Sequence, residues 1–126
     1  MHYLSANFII LLMYKKRCFE GLNSKHLDTK GEIMHGYVIV NLNVLDSEKM
    51  ADYSAVAGPS IKKFGGEVLF KGKAETLSGN SEYDMLVIVK FESVDKAKEW
   101  YNSNDYQAII PTREMAMEAI FTVTAG

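Results

Sequence analysis

Arg113 is the only arginine between Gly36 and Gly126, a stretch in which eight lysines carry the other positive charges. A guanidinium in a cleft can grip a carboxylate or enolate through two parallel hydrogen bonds. Its competing use is a structural ion pair with Glu114, Glu118 or an acid of a partner chain. Tyr106 and Tyr101 could set phenol donors on a substrate oxygen, or serve as core residues with one polar tip, the favoured use for Tyr101. Trp100 either walls an aromatic-lined pocket or, more commonly, packs helix against sheet. Glu75 is the acid best suited to act as a base, provided that desolvation raises its pKa; an exposed strand carboxylate is the commoner outcome. Arg113, Tyr106 and Glu75 are thus the catalytic candidates, with the first two stabilising developing negative charge and the third taking a proton.

Asn41 and Asn43 add two amides on one face of an otherwise apolar strand pattern. Buried amides need partners, which a ligand, a water or a second subunit would supply. Met85, Met115 and Met117 would suit the edges of an adaptable apolar pocket, although methionine usually fills core gaps.

Other chemistries are closed. From Gly36 to Gly126 there is no histidine and no cysteine, so a Ser-His-Asp triad, a Cys-His pair and a His-ligated transition metal cannot be assembled there. No phosphate-binding glycine loop and no carboxylate-cluster metal motif occurs. Neither a metal nor another cofactor is expected, a proximal-histidine haem included. The single cysteine of the chain excludes an intrachain disulfide. Net charge is −2, which gives no reason to expect a nucleic-acid partner.

That charge is uneven, +2 over residues 1–34 and −4 over the rest. The N-terminal segment holds an apolar run, Phe8–Tyr14, followed by Lys15-Lys16-Arg17. It falls short of the roughly 20 apolar residues of a membrane span, and its bases follow the apolar core, the reverse of a signal peptide. A weak interfacial anchor is the membrane role left to it. Met34 immediately precedes the first clear strand pattern, so residues 1–33 read as an extension outside the fold, upstream of the true start, and 34–126 as the domain.

The elements that must position these residues follow from periodicity. Gly36–Val44 alternates as a strand, with Val38, Val40, Leu42 and Val44 on one face. Asp46 or Ser47 caps a helix whose stripe is Met50, Tyr53, Ala57, Ile61 and Phe64. Gly58-Pro59 should kink it or split it in two, and Gly65-Gly66 should end it with one glycine left-handed. A second strand starts at Glu67 and runs to Leu77, with a bulge at Gly72. Ser78–Ser81 forms a hairpin turn. Asp84–Phe91, apolar on both faces apart from Lys90, should be a central strand. Ser93 caps a helix from Val94 to about Asn102, and a further helix runs from Tyr106 to about Met117 with Pro111 early in it. Ala119–Thr124 closes the chain as a strand.

The order β-α-β-β-α-(α)-β is the ferredoxin-like, α+β pattern: a two-layer sandwich with a four-stranded antiparallel sheet. Helices cover one face of such a sheet and leave Tyr37, Ile39, one face of the central strand and part of the last strand open. An apolar face of that kind needs a cover, and a second copy packed sheet to sheet provides one. A homodimer through sheet faces is therefore expected.

Gly36-Tyr37 opening a strand, Tyr53, Lys63-Phe64-Gly65-Gly66, Phe91-x-Ser93 and the block Ala97-x-x-Trp100-Tyr101-x-Ser103-x-x-Tyr106, with Arg113 beyond it, resemble a small bacterial family. It is domain-of-unknown-function family 1330, within the dimeric α/β-barrel superfamily. The resemblance covers about Gly36 to Gly126. It implies a ferredoxin-like subunit and a dimer whose two sheets make a barrel-like interface. Relatives in the superfamily include cofactor-independent monooxygenases, muconolactone isomerase-like enzymes, chlorite dismutase-like haem proteins and binding modules, and fold alone does not choose among them. Many relatives carry an arginine on the second strand where this chain has Lys71, a point charge rather than a bidentate fork.

Two functions follow as expectations. The first is a cytoplasmic homodimer binding a small organic ligand between sheet and helices, with Asn41, Tyr53, Lys71, Trp100, Tyr106 and Arg113 as the binding set. The alternative is a cofactor-independent oxygenase or isomerase acting on an acidic, aromatic or enolisable small molecule.

Overall fold

A computed structural model describes residues 33–126. The chain divides into two units, Met1–Met34 and His35–Gly126. The expectations for the Phe8–Arg17 segment and for His2, Cys18 and His26 lie outside the described residues.

The first alternating segment is strand β1, Gly36–Val44, with Val38, Val40 and Leu42 buried and Tyr37, Ile39, Asn41 and Asn43 half-buried on the other face. The Asp46 carboxylate then accepts the backbone N–H groups of Glu48 and Lys49 at 3.0 and 3.1 Å, which satisfies two of the free donors at a helix start. Helix α1, Ser47–Lys63, buries Tyr53, Ala57, Ser60 and Ile61. Of the kink or break expected at Gly58-Pro59, the break does not occur: α1 is one helix with Pro59 inside it. Pro59 lies on the exposed side, as does Ala55, whose carbonyl loses its partner N–H; solvent takes that bond while the buried stripe holds the helix together. Gly65 ends the helix at φ +75°, and the Gly66 N–H donates to the Ile61 carbonyl at 2.8 Å. Only glycine takes that left-handed turn without strain.

Strand β2 is Glu67–Lys73, shorter than expected, and its irregularity falls between Val68 and Phe70 rather than at Gly72. Leu69 is the extra residue, on an edge strand where bulges concentrate. The strand stops because Asn43 captures the connecting loop: its amide donates to the Glu82 carbonyl and its Oδ1 accepts the Asp84 N–H. The turn at 78–81 is therefore part of a long loop, 74–84, in which Leu77 stands 96% exposed.

Strand β3, Met85–Phe91, is central as expected. Ser93 caps α2, Val94–Asn102, and Ser103 caps α3, Asn104–Gln107. The single helix expected from Tyr106 to Met117 is two. Pro111 has no N–H to extend α3, so it starts a new helix, α4, Ile110–Ala116. Strand β4, Met117–Ala125, then begins two residues earlier than the alternation predicts.

The four strands form one antiparallel sheet ordered β2-β3-β1-β4, a ferredoxin-like α+β architecture. Trp100, Tyr106, Phe91, Leu42 and Val89 are the largest fully buried side chains. All lie where the helices meet the inner sheet face. On the other face the register sets Phe70, Ile88, Ile39 and Thr122 in one row across the sheet, and Leu86, Asn41 and Ile120 in the next.

Gly36 ties sheet to helix layer. A Cβ there would lie 2.6 Å from the Val94 nitrogen and closer still to the Ser93 carbonyl. No rotamer relieves a collision with backbone. Gly36→Ala should therefore destabilise the domain by about 3 kcal/mol, read as a lowered midpoint in thermal denaturation.

Candidate functional site

Each of the four helices sends one residue into a single polar cluster. The phenols of Tyr53 on α1 and Tyr106 on α3 are 2.8 Å apart. Arg113 on α4 donates from Nη1 to the hydroxyl oxygens of Tyr106 and of Tyr101 on α2, both at 3.1 Å. Its Nη2 meets Glu114 at 3.2 Å. The guanidinium also lies over the Phe121 ring, 4.7 Å from its centroid, close enough for a cation–π attraction. With the Arg113 side chain only 12% exposed, these contacts are worth more than on an open surface.

Burial pushes the Tyr53 phenol well up from the ordinary 10.0, and the neighbouring Tyr106 hydroxyl adds to it. Tyr106 is raised too, again mainly by burial, against the opposing effects of its hydrogen-bonded neighbours Tyr53 and Arg113. For Arg113 burial acts to lower the pKa, yet the hydrogen bonds to Tyr106 and Tyr101 outweigh it and the net direction is up. All three groups therefore keep their protons: two neutral phenols held by one fixed cation.

Beside this cluster lies a cavity of about 140 Å3 between α1 and the sheet. Tyr53, Lys71, Trp100 and Phe121 are part of its wall, and the rest is mostly apolar side chains such as Val40, Ala57 and Val87. Trp100 is fixed by a 3.0 Å hydrogen bond from Nε1 to the buried Ser60 hydroxyl, which itself donates to the Ala57 carbonyl. Two surface grooves lie elsewhere: one beside Tyr101 and β4 of 300 Å3, one between α1 and α3 of 530 Å3.

Of the sequence-derived residues, Tyr53, Trp100, Tyr106 and Arg113 come together, and Lys71, exposed on β2, lines the same cavity as Tyr53 and Trp100. Arg113 and Tyr106 touch the cluster but are not in the cavity wall. Asn41 sits on the open sheet face, opposite Leu86 and Ile120. Glu75 is exposed in the loop after β2 and is not brought to the cluster. Asn43 has a local use, holding that loop. Ser60 and Phe121 were not singled out from the sequence. Ser60 is legible afterwards as a position on the α1 stripe, seven residues after Tyr53; Phe121 is set by the inward alternation of β4. Among the described residues no group of three or more His, Cys, Asp or Glu is placed to hold a metal ion, and no helix is long and apolar enough to cross a membrane.

The family model for a domain of unknown function, DUF1330, matches residues 35–126. The chain belongs to the DUF1330 family. The cluster and cavity lie wholly within that match. No curated protein matches the chain. Among solved structures, a protein of unknown function from Rhodopseudomonas palustris superposes with a TM-score of 0.61 at 18% identity, over 71% of this chain and 80% of that one. SnoaB, a cofactor-independent oxygenase from Streptomyces nogalater, gives 0.53 at 6% identity, over 74% and 92%. A dabb family protein with a ferredoxin-like fold from Mesorhizobium loti gives 0.50 at 12%, over 74% and 95%. At these identities the likeness is one of fold, the ferredoxin-like one.

The raised phenols give a pH prediction. Tyr53 and Tyr106 bind their protons more tightly folded than unfolded, so their contribution to stability is complete below pH 10.0 and is lost as pH rises from there toward the folded-state values. The denaturation midpoint of the wild type should fall above about pH 10. Tyr53→Phe should flatten that dependence while costing about 1 kcal/mol at neutral pH, and an unchanged alkaline slope in the variant would sink the assignment.

Proposed function

We propose that this DUF1330 protein is a homodimer that binds a small organic molecule in the cavity between α1 and the sheet. The observation that carries the reading is the cavity itself: a mostly apolar space of about 140 Å3, bordered by the Tyr53 phenol, whose partner Tyr106 is in turn held by Arg113. Apolar pockets with a few convergent polar groups and strongly perturbed titratable residues are the usual form of small-molecule sites. Tyr53, Lys71 and Trp100 are the wall contacts of this reading, and Tyr106 and Arg113 stand behind Tyr53.

Dimerisation is supported by the open sheet face. Ile39, Ile88, Phe70, Leu86 and Ile120 share one side of the sheet, with no helix of the domain on it. Contiguous apolar surface of that kind is rare on a monomer.

A cofactor-independent oxygenase or isomerase is the second reading. It draws on the Tyr53–Tyr106–Arg113 chain, which has the make-up to stabilise negative charge developing on a bound enolisable molecule, and on the shared fold with the oxygenase SnoaB. Glu75 plays no part in it from its place in the loop, so the substrate would have to lose its proton to another base or arrive acidic enough to need none.

Native mass spectrometry of the full chain, before and after mild denaturation, tests the main reading. The expected result is a dimer carrying a small bound mass that is released on unfolding. A monomer would remove the dimer. Ile88→Lys on the open face should convert the dimer to monomer in sedimentation equilibrium with the fold intact by circular dichroism; a variant that stays dimeric would place the interface elsewhere.

A further inference from the structure

The proton count of the tyrosine cluster does not close within the protein. Arg113 donates into the Tyr106 oxygen, and Tyr53 and Tyr106 face each other through a single hydroxyl–hydroxyl contact. Two phenol protons share that one contact. If Tyr53 donates, the Tyr106 oxygen accepts twice and its own proton has no acceptor, although Tyr106 is 0% exposed. If Tyr106 donates to Tyr53, every bond of Tyr106 is satisfied and the surplus proton belongs to Tyr53, which is in the cavity wall. A buried donor without an acceptor is costly, so the second arrangement prevails, and Arg113, by donating into Tyr106, fixes its direction.

Lys71 supplies the second polar feature, on the stretch of wall contributed by β2. A space of this size holds about one benzene ring. Resting on the pocket reading above, we infer that the cavity is built for a compact, ring-sized organic anion. One oxygen accepts the Tyr53 proton, and the negative charge is balanced by Lys71. Arg113 does not contact this ligand; it is a positioning residue that keeps the Tyr53 proton available. Burial, the largest cause of the raised Tyr53 pKa, suits the role, since it keeps the phenol protonated and a donor at neutral pH.

Three probes of nearly equal size separate the parts of the inference: benzoate, benzaldehyde and toluene. Binding to the full chain is followed through the methyl resonances of Ala57, Ile61 and Val87, all in the cavity wall. The expected order is benzoate tightest and toluene weakest. Tyr53→Phe should reduce the advantage of benzaldehyde over toluene by about tenfold. Lys71→Gln should weaken benzoate alone by about threefold, and added salt should do the same. Arg113→Met should shrink the benzaldehyde–toluene gap and Arg113→Lys restore part of it; a merely structural role would lower all three affinities together. Equal binding of the three probes to the wild type overturns the anion inference while leaving the cavity as a binding site, without recourse to any variant. If none of the probes moves these methyls, the cavity reading falls with it.

Discussion

The guanidinium of Arg113, bonded to the hydroxyls of Tyr101 and Tyr106 and placed over Phe121, is the contact through which the helical layer is joined. Its partners come from different helices: Tyr101 from α2, Tyr106 from α3, and, one hydroxyl further on, Tyr53 from α1. Helices α3 and α4 are four and seven residues long, too short to persist on propensity alone. They are held by what they bury, and Tyr106 and Arg113 are their anchors. A cation at this depth is tolerable because Nη1 and Nη2 both meet oxygens and the Phe121 ring lies within cation–π range.

Removing side chains from water here also creates the chemistry. The burial that stabilises the layer drives the phenols away from ionisation, so they act as fixed donors and acceptors rather than as bases. Packing of Trp100 against Phe91 and Tyr106, with ring centroids 5.4 and 4.4 Å away, keeps the same region rigid. The cavity beside it persists because its wall is tied down on both sides, by the Trp100–Ser60 bond and by the tyrosine chain. The sheet plays the complementary part, since its inner face is committed to the helices and its outer face keeps apolar side chains such as Ile39, Ile88 and Phe70.

Much of this architecture was legible in the residues. Alternation over Gly36–Val44, the stripe from Met50 to Phe64, the cap Ser93 and the glycines at 65–66 each have one local solution, and together they leave little choice of topology. Local rules failed where a neighbour in space overrode them. Pro59 stays inside α1 because its side of the helix faces solvent and the opposite stripe is buried. Strand β2 ends early because Asn43, from another strand, binds the following loop.

The site divides the same way. Residue types and rough positions were determined by the sequence: between Gly36 and Gly126 a lone arginine, paired tyrosines and a tryptophan, with no imidazole or thiolate. Their arrangement was decided only by tertiary structure. Nothing in the spacing states that Tyr53 and Tyr106, 53 positions apart, are hydrogen-bonded to each other, that Arg113 stands behind the cavity instead of in it, or that Glu75 lies out in the loop. Hydrogen bonding and desolvation depend on distances of a few ångströms between segments remote in the chain, and those distances exist only once the four helices have closed over the sheet.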